Sequence, residues 1–252
     1  MGGVEARDGG MMATTRAPAL GIDVSHFQGP IDWQAVANDG IGFAYLKATE
    51  GIDGVDVQFV RNWRETRTVG VLRGAYHVCS PAQPVSLQVD HFMKVVSTLQ
   101  PDDLPPALDL EEVRGGASQD QWDLIEAGER VRLVLEWLQG VEGKLGRRPV
   151  VYTREQFIAA KFPSAAPLRA YPLWIAHYSD APQPSIPSAW SSWTFWQYSD
   201  RGEVHGIAGQ VDRDRFNGSL TDLKGWLARA QGHRTPARAQ RPAGGRRRSP
   251  RG

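Results

Sequence analysis

Residues 106–112 read Pro-Ala-Leu-Asp-Leu-Glu-Glu, a short apolar run that ends in acidic residues. The run has the length and composition of a buried β-strand. Side chains two positions apart on a strand face the same side, so Asp109 and Glu111 are predicted to lie together at its carboxyl end. That end of a strand is where β/α barrels carry their active sites. The stretch therefore predicts a strand that places two carboxylates in a functional position.

Similar apolar runs recur along the chain and alternate with segments of helical periodicity. Strands are predicted at Leu20–Val24, Gly42–Lys47, Val69–His77, Pro106–Leu110, Pro149–Thr153, Leu173–Ala176, Thr194–Tyr198 and Gln210–Asp212. Helices are predicted at Ile31–Ala37, Val57–Thr66, Val85–Leu99, Gln119–Leu145 and Glu155–Lys161. The fourth helix opens with the capping-box pattern Ser118-x-x-Gln121.

This alternation also predicts the fold class. Strands that alternate with helices pair in parallel through right-handed crossovers, and about eight of them are enough to close a barrel. The sequence therefore predicts an α/β protein built as a single TIM-like (β/α) barrel. An open, doubly wound sheet is the competing arrangement. It is disfavoured because residues 21–26, Gly-Ile-Asp-Val-Ser-His, lack the glycine-rich pattern that binds a dinucleotide.

Length and charge define the domain organisation. At 252 residues the chain can form one large domain, which we assign to residues 19–230. Residues 1–18 and 231–252 are rich in Gly, Pro, Ala and Arg and are expected to be disordered. The second segment carries seven Arg and no acid, so removing it from the total charge of +1 leaves −6 for the rest. An acidic body argues against a nucleic-acid-binding protein and leaves the tail to contact anionic partners.

Several other classes of protein are disfavoured. No run of eighteen apolar residues occurs, so no membrane span is expected. The first residues lack the continuous apolar stretch of a signal peptide, and the route of export cannot be read from them. Cys79 is the single cysteine, which excludes an intramolecular disulfide and a cysteine-based metal site. His26 and His77 lie near predicted strand ends without metal-ligand spacing, so neither a metal nor a cofactor is expected.

Two further acids lie on predicted strands near their ends. In a closed barrel the first and last strands are neighbours, so Asp23 and Asp212 are expected to join Asp109 and Glu111 at one mouth. Four carboxylates suit the cleavage of a glycosidic bond, because one acid protonates the leaving oxygen while others stabilise a cationic sugar. Their repulsion would raise the pKa of one of them and keep it protonated, and we expect the charge of Asp109 to raise the pKa of Glu111 in this way. Lys47, at another predicted strand end, is expected to pair with a carboxylate there.

Eight short motifs follow one another over roughly residues 19–218. They are Gly21–Gly29 (GIDVSHFQG) with Ile31-Asp32-Trp33, Phe43–Gly51 (FAYLKATEG), Arg73–His77 (RGAYH), Leu108–Glu111 (LDLE), Val151–Thr153 (VYT), Trp174–Tyr178 (WIAHY), Trp196–Tyr198 (WQY) and Val211-Asp212. In this order they resemble the family 25 glycoside hydrolases, the Chalaropsis-type lysozymes. The last motif of that family usually reads Val-Asp-x-Asn, whereas this chain has Asp214 in the fourth place.

The resemblance implies an irregular β/α barrel, with fewer helices than strands, that hydrolyses peptidoglycan. The bond cut would be the β-1,4 link between N-acetylmuramic acid and N-acetylglucosamine. Glu111 would be the proton donor, with Asp23, Asp109 and Asp212 as the other catalytic carboxylates. The sugar-binding residues would be Tyr76, Tyr152, Trp174, Tyr178 and Gln197, to which we add Lys47. Such a protein is expected to act at the cell wall as a monomer.

Three other functions are compatible with the same residues. One is a non-catalytic cell-wall sugar-binding module, since a fold does not establish activity, although the presence of all four carboxylates argues against it. Another is a hydrolase of a different N-acetylhexosamine polymer such as chitin. The third is a structural wall protein held by its basic tail. For the hydrolase, a substrate acetamido group, an Asp and a water molecule are all feasible nucleophiles.

Overall fold

The structure, a computed structural model, describes residues 17–114 and 119–231. The predicted disorder of residues 1–16 and 232–252, and the predicted cap at Ser118, lie outside the described residues. The described strands are β1 (Leu20–Val24), β2 (Phe43–Glu50), β3 (Gly54–Val55), β4 (Leu72–Val78), β5 (Ala107–Asp109), β6 (Val150–Arg154), β7 (Leu173–Ala176), β8 (Phe195–Gly202) and β9 (Val211–Phe216). The described α-helices are α1 (Trp33–Asn38), α2 (Phe59–Thr68), α3 (Val85–Val96), α4 (Ala127–Leu145), α5 (Glu155–Lys161) and α6 (Leu220–Gln231).

Eight of the described strands close a barrel, in the order β1-β9-β8-β7-β6-β5-β4-β2 and back to β1. The short β3 pairs only with the end of β2 and lies outside the ring. The predicted irregular α/β barrel with fewer helices than strands is confirmed. The predicted strands occur in the predicted order, with displaced ends. For example, β4 begins at Leu72 rather than Val69, because Gly70 makes a turn with φ +77°.

The last strand departs from the predicted parallel arrangement. β9 runs antiparallel to both of its neighbours, β8 and β1. The connection from β8 to β9, residues 203–210, is shorter than the dozen or more residues that a parallel crossover needs. The sequence predicts Asp212 near the end of its strand. In the structure it lies near the start. The reversed direction is what brings it to the carboxyl end of β1.

Aromatic side chains fill the barrel interior. The Tyr45 and Trp174 rings stack with centroids 4.6 Å apart. A Cβ atom at Gly21 would lie 2.3 Å from the Phe43 ring, and one at Gly74 would lie 2.4 Å from the Tyr45 ring. Only glycine fits beside rings of this size at these two strand positions. The interior is therefore a packed core, and the mouth is the part of the barrel left for a ligand.

The single helix predicted over residues 119–145 is broken in the structure. A short 3-10 turn, Gln121–Leu124, precedes α4. Asp120 caps this turn by accepting a hydrogen bond from the Trp122 backbone N–H at 3.3 Å. Ile125 then has an extended backbone, with φ −108° and ψ 133°, which no helix can continue through.

Helix α6 is not among the predicted helices. Its buried Leu223 and Leu227 belong to the same apolar cluster as the aromatic rings of the barrel interior. Leu220 lies beside Gly42, immediately before β2, which puts α6 at the amino end of the parallel strands, opposite the mouth. The helix closes that end of the core. No described helix is both long enough and apolar enough to cross a membrane.

Candidate active site

Four carboxyl groups predicted for the site meet at the mouth of the barrel. Asp23 and Asp212 are direct partners in the pairing of β1 with β9. Asp109 is the last residue of β5, and Glu111 follows two positions later. The charge of Glu111 raises the pKa values of both Asp109 and Asp212, so the carboxyls of β5 and β9 surround one space. The structure thus brings these four residues together.

The backbone of Glu111 and of the residue before it is fixed by two hydrogen bonds. The N–H of Leu110 donates to the Tyr152 carbonyl oxygen at 2.9 Å, which continues the pairing with β6 past the end of β5. Nε1 of the buried Trp122 donates to the Glu111 carbonyl oxygen at 2.9 Å. The side chain of Glu111 is nevertheless 37% exposed. A rigid support therefore presents a carboxyl group that a substrate can reach.

Burial raises the pKa of Glu111, while Arg154 and Lys47 oppose this effect and Glu112 adds to it. The pKa of Asp109 is raised well above its usual range, first by burial and then by the charge of Glu111. The sequence predicts the reverse, with the charge of Asp109 raising the pKa of Glu111. Glu111 acts on Asp109, and not the reverse, because Asp109 is the more deeply buried of the two, at 6% exposure. Asp109 therefore releases its proton after Glu111 does.

Two cations border the carboxyl cluster. The Arg154 guanidinium lies 3.4 Å from Oε2 of Glu111 and 3.2 Å from Oε2 of Glu112. Nζ of Lys47 lies 2.7 Å from Oε2 of Glu50. Lys47 is thus paired with a carboxylate at the end of β2 rather than with one of the four predicted acids. The sequence analysis missed Arg154, although its place directly after the apolar part of β6 is the signal that marks the other site residues.

Asp23 is held by a hydrogen-bond network built from three of the predicted sugar-binding residues. Nε2 of Gln197 donates to Oδ2 of Asp23 at 2.7 Å. The hydroxyls of Tyr152 and Tyr178 both donate to Oε1 of Gln197, each at 2.9 Å. Gln197 and Tyr152 are buried, whereas Tyr178 is 47% exposed. The network fixes the Asp23 carboxyl and places one aromatic ring at the surface of the mouth.

The remaining two predicted sugar-binding residues, Tyr76 and Trp174, lie deeper. Both are buried, and their rings meet edge to face at 6.4 Å. Burial raises the pKa of the Tyr76 hydroxyl, and the charges of Asp23 and Asp109 raise it further. Tyr76 therefore lies beneath the carboxyl cluster. Nε1 of Trp174 is already engaged as a donor to Oδ1 of Asp214, at 2.8 Å.

The fully buried Asp214 was not among the predicted site residues. Burial raises its pKa to about 8, and the charge of Asp212 adds to the effect. The pKa of Asp212 is raised to about 6 by burial and by the charges of Asp200 and Glu111. The signal was present in the sequence, since Asp212 and Asp214 are two positions apart on one strand and share a face.

The two histidines near strand ends serve as hydrogen-bonding residues. His77 is buried, bonds to Thr49 Oγ1 at 2.7 Å and Gln88 Oε1 at 3.0 Å, and has its pKa lowered to about 4 by burial. Nδ1 of His26 lies 2.8 Å from Oδ2 of Asp56. Within residues 17–114 and 119–231, no three His, Cys, Asp or Glu side chains are grouped so that they could hold a metal ion.

Fold and site together define a glycoside hydrolase. Carboxyls are clustered at the carboxyl end of the barrel strands, and two of them, Glu111 and Asp212, have raised pKa values without being fully buried. The sequence profile of the glycosyl hydrolases family 25 matches residues 22–207. The chain belongs to this family.

Relatives of the chain include both named lysozymes and a protein without an assigned role. It is 42% identical over 212 residues to the uncharacterized protein YegX of Escherichia coli K12, which covers 82% of this chain and 72% of YegX. It is 36% identical over 211 residues to lysozyme M1 of Streptomyces globisporus, covering 81% and 69% of the two chains. The crystal structure of the Streptomyces coelicolor lysozyme matches with a TM-score of 0.79 and 34% identity, over 86% of this chain and 99% of that one.

Proposed function

We propose that the chain is a muramidase that cleaves the β-1,4 bond between N-acetylmuramic acid and N-acetylglucosamine in peptidoglycan, with Glu111 as the proton donor. The observation that carries the proposal is the meeting of Asp23, Asp109, Glu111 and Asp212 at one barrel mouth. The lysozymes among its relatives support this substrate. Because peptidoglycan is the substrate, the protein acts at the bacterial cell wall.

Glu111 suits the role of general acid better than its neighbours do. Burial raises its pKa, which favours the protonated form that a general acid needs. Its side chain is also exposed enough to reach a leaving-group oxygen, whereas Asp23 and Asp109 are buried. Asp212, with a pKa raised to about 6, supplies negative charge near neutral pH, and the carboxyl oxygens of Asp23 and Asp109 add their dipoles, which together stabilise the cationic character of the transition state.

The aromatic residues divide between contact and support. Tyr178, half exposed at the mouth, contacts the sugar directly. Tyr152 and Gln197 act mainly by holding Asp23 through the hydrogen bonds described above. Trp174 and Tyr76 form the floor beneath the reacting sugar. Lys47 contributes through its charge, since it lowers the pKa values of Asp109 and Glu111.

The test replaces Glu111 by Gln, which keeps shape and hydrogen bonding but cannot deliver a proton. Turnover of purified peptidoglycan is expected to fall about 10²–10⁴-fold, the usual contribution of general acid catalysis. Binding of the variant to peptidoglycan should persist. The matched control is Glu112→Gln, because Glu112 bonds to the same Arg154 but is exposed to solvent.

Mass spectrometry of the products identifies the bond that is cut. New reducing ends on N-acetylmuramic acid are expected for the wild type and for Glu112→Gln. Ends on N-acetylglucosamine would show that the other glycosidic bond is cleaved. Binding without any products from the wild type would identify a sugar-binding module instead. Full activity of Glu111→Gln would assign the proton donor elsewhere.

A further inference from the structure

The chain that follows Glu111 is held by a further acid, Asp120, which has no part in the cleavage chemistry. Asp120 is 5% exposed. Its Oδ1 accepts the Val113 N–H at 3.0 Å and the Trp122 N–H at 3.3 Å. The Gln121 N–H in turn donates to the Val113 carbonyl oxygen at 2.8 Å. One carboxyl oxygen therefore joins the chain two residues after Glu111 to the turn that precedes α4.

A lysine holds the other oxygen of Asp120. Nζ of Lys161, the last residue of α5, lies 3.0 Å from Oδ2 of Asp120, and the Lys161 side chain is 15% exposed. Lys161 also pairs with Asp123, whose side chain is 42% exposed. Burial would raise the pKa of Asp120, but Lys161 and the two backbone N–H groups together lower it. Asp120 is therefore charged at neutral pH and is tied to α5.

The same contacts fix the indole that supports Glu111. Trp122 is 0% exposed, and its ring packs edge to face against those of Phe157 and Phe162, with centroids 6.0 Å and 5.2 Å away. Its Nε1 donates to the Glu111 carbonyl oxygen at 2.9 Å. Because β5 ends at Asp109, this support comes from outside the barrel sheet. The position of Glu111 therefore depends on how residues 120–122 are joined to α5.

Helix α5 is also continuous with the cation beside Glu111. It begins directly after Arg154, the last residue of β6, whose guanidinium lies 3.4 Å from Oε2 of Glu111. The end of β6 thus meets the Glu111 carboxyl, while the end of α5 holds Asp120. A general acid has to lie within hydrogen-bonding reach of the leaving oxygen, so the position of its backbone affects the rate.

We propose that Asp120 is a positioning residue for Glu111, because its carboxylate joins the chain after Glu111 to Trp122 and ties both to Lys161 of α5. Asp120 acts on the substrate only through Glu111. The proposal deepens the muramidase function and rests on it for its catalytic consequence. The hold on the Glu111 backbone does not depend on that function.

The experiment compares Asp120→Ala with Asp123→Ala, the matched control. Both variants remove an acid that pairs with Lys161, and Asp120→Ala removes in addition the acceptor of two backbone N–H groups. Well below the unfolding temperature, kcat of Asp120→Ala on peptidoglycan is expected to fall about tenfold, part of the roughly hundredfold that a 1 Å misplacement can cost. KM should stay within about twofold, because binding is retained. Asp123→Ala should keep both constants, and an unchanged kcat of Asp120→Ala would overturn the proposal.

The pH profile separates positioning from stability. The charged or titratable groups around Glu111 are Arg154, Lys47, Glu112, Asp109, Asp212 and Tyr152. Asp120→Ala changes none of them, but a loosened Glu111 spends less time beside Arg154, which lowers its pKa. The alkaline limb of kcat/KM is expected to move up by about half a unit in Asp120→Ala and to stay in place in Asp123→Ala. A smaller folded fraction cannot move this limb, so an unmoved limb would overturn the proposal.

A third measurement needs no activity. Amide hydrogen exchange of residues 110–113 should be faster in Asp120→Ala than in the wild type or in Asp123→Ala, because the Val113 N–H loses its acceptor and the chain beside it opens more often. Unchanged exchange would overturn the proposal. Should the wild type prove inactive on peptidoglycan, the proposed function fails, and the exchange alone decides whether Asp120 holds the Glu111 backbone.

If Asp120→Ala does not fold, Trp122→Phe takes its place, since it removes the indole N–H that bonds to Glu111 and keeps a ring. Its control is Trp137→Phe. Trp137 is likewise 0% exposed, and its Nε1 has no hydrogen-bond partner in the described part of the chain. The loss of kcat, the shift of the alkaline limb and the faster exchange are expected for Trp122→Phe and not for Trp137→Phe. Equal behaviour of the two variants would overturn the proposal.

Discussion

Asp109 and Glu111 are separated by one residue, but their surroundings differ in depth. Asp109 is 6% exposed, and Oδ1 of its carboxyl has no hydrogen-bond partner in the described part of the chain. Glu111 reaches solvent and lies 3.4 Å from the Arg154 guanidinium. The deeper carboxyl therefore releases its proton after the shallower one, since desolvation penalises the charged form. The shallower group is the one that can exchange a proton with a substrate.

Arg154 is predicted to set the upper end of the active pH range. Its positive charge lowers the pKa of Glu111, so Arg154→Gln should raise that pKa and keep Glu111 protonated to higher pH. The alkaline limb of kcat/KM on peptidoglycan is expected to move up by about half a unit to one unit, a modest shift because both groups are partly exposed. The control is Arg64→Gln, whose side chain is 71% exposed on α2. An unmoved alkaline limb would mean that another group sets it.

At the scale of the elements, one buried ion pair joins three parts of the barrel wall. Nε of Arg73, on β4, lies 2.7 Å from Oδ1 of Asp103, in the segment before β5. The Arg73 guanidinium lies 4.0 Å from the centroid of the Trp63 ring on α2. The other oxygen of Asp103 accepts from the Gln100 N–H at 2.7 Å. The pair therefore holds α2 and the segment leading into β5 against the same strand.

Removing one partner of this pair should destabilise the fold strongly. Asp103→Ala leaves the Arg73 guanidinium, 7% exposed, without its counter-charge. The expected loss in free energy of unfolding is about 3–5 kcal/mol, the usual cost of an unpaired buried charge. Asp102→Ala, at the exposed neighbouring position, is the matched control and should change stability little. Chemical denaturation measures both variants, and equal stabilities would show that the ion pair adds nothing.

For the whole molecule, the carboxyl cluster makes stability depend on pH. Asp212 and Asp214 have pKa values raised to about 6 and about 8, and those of Asp23 and Asp109 are also raised. The folded protein keeps these protons where the unfolded chain, with pKa values near 4, has released them. Their stabilising contribution is therefore full at low pH and is lost as the pH rises through the folded values. His77 has the opposite effect on stability. Its pKa is about 4 in the folded protein and about 6.5 in the unfolded chain, so stability decreases as the pH falls below about 6.5.

The melting temperature is therefore predicted to fall between pH 6.5 and pH 8.5, where His77 is neutral in the folded state and mostly neutral in the unfolded chain, so that the carboxyls determine the slope. Asp214→Asn should flatten this slope, because the amide cannot ionise. Asp102→Asn, at an exposed site, should retain the wild-type slope. Calorimetric scans at several pH values provide the measurement. A wild-type melting temperature that rises over this interval would contradict the assignment of raised pKa values.

The local pattern of apolar and acidic residues was sufficient to predict the barrel strands and the positions of several site carboxyls. The eight barrel strands follow from short apolar runs, and the positions of Asp23, Asp109 and Glu111 follow from acids that end such runs. These features depend on the alternation of side chains along a strand, which neighbouring residues determine by themselves. The order of motifs along residues 19–218 then narrowed the barrel to one family, whose sequence profile matches residues 22–207.

Tertiary structure alone decided the rest. The antiparallel direction of β9 depends on the short connection from β8, and it is this direction that pairs Asp212 with Asp23. The burial of Asp214, the order in which Asp109 and Glu111 release their protons, and the covering of the barrel end by α6 depend on contacts between distant segments. A sequence records where a carboxyl is placed along the chain. Its proton affinity is set by the solvent and charges that the fold removes from or brings to it.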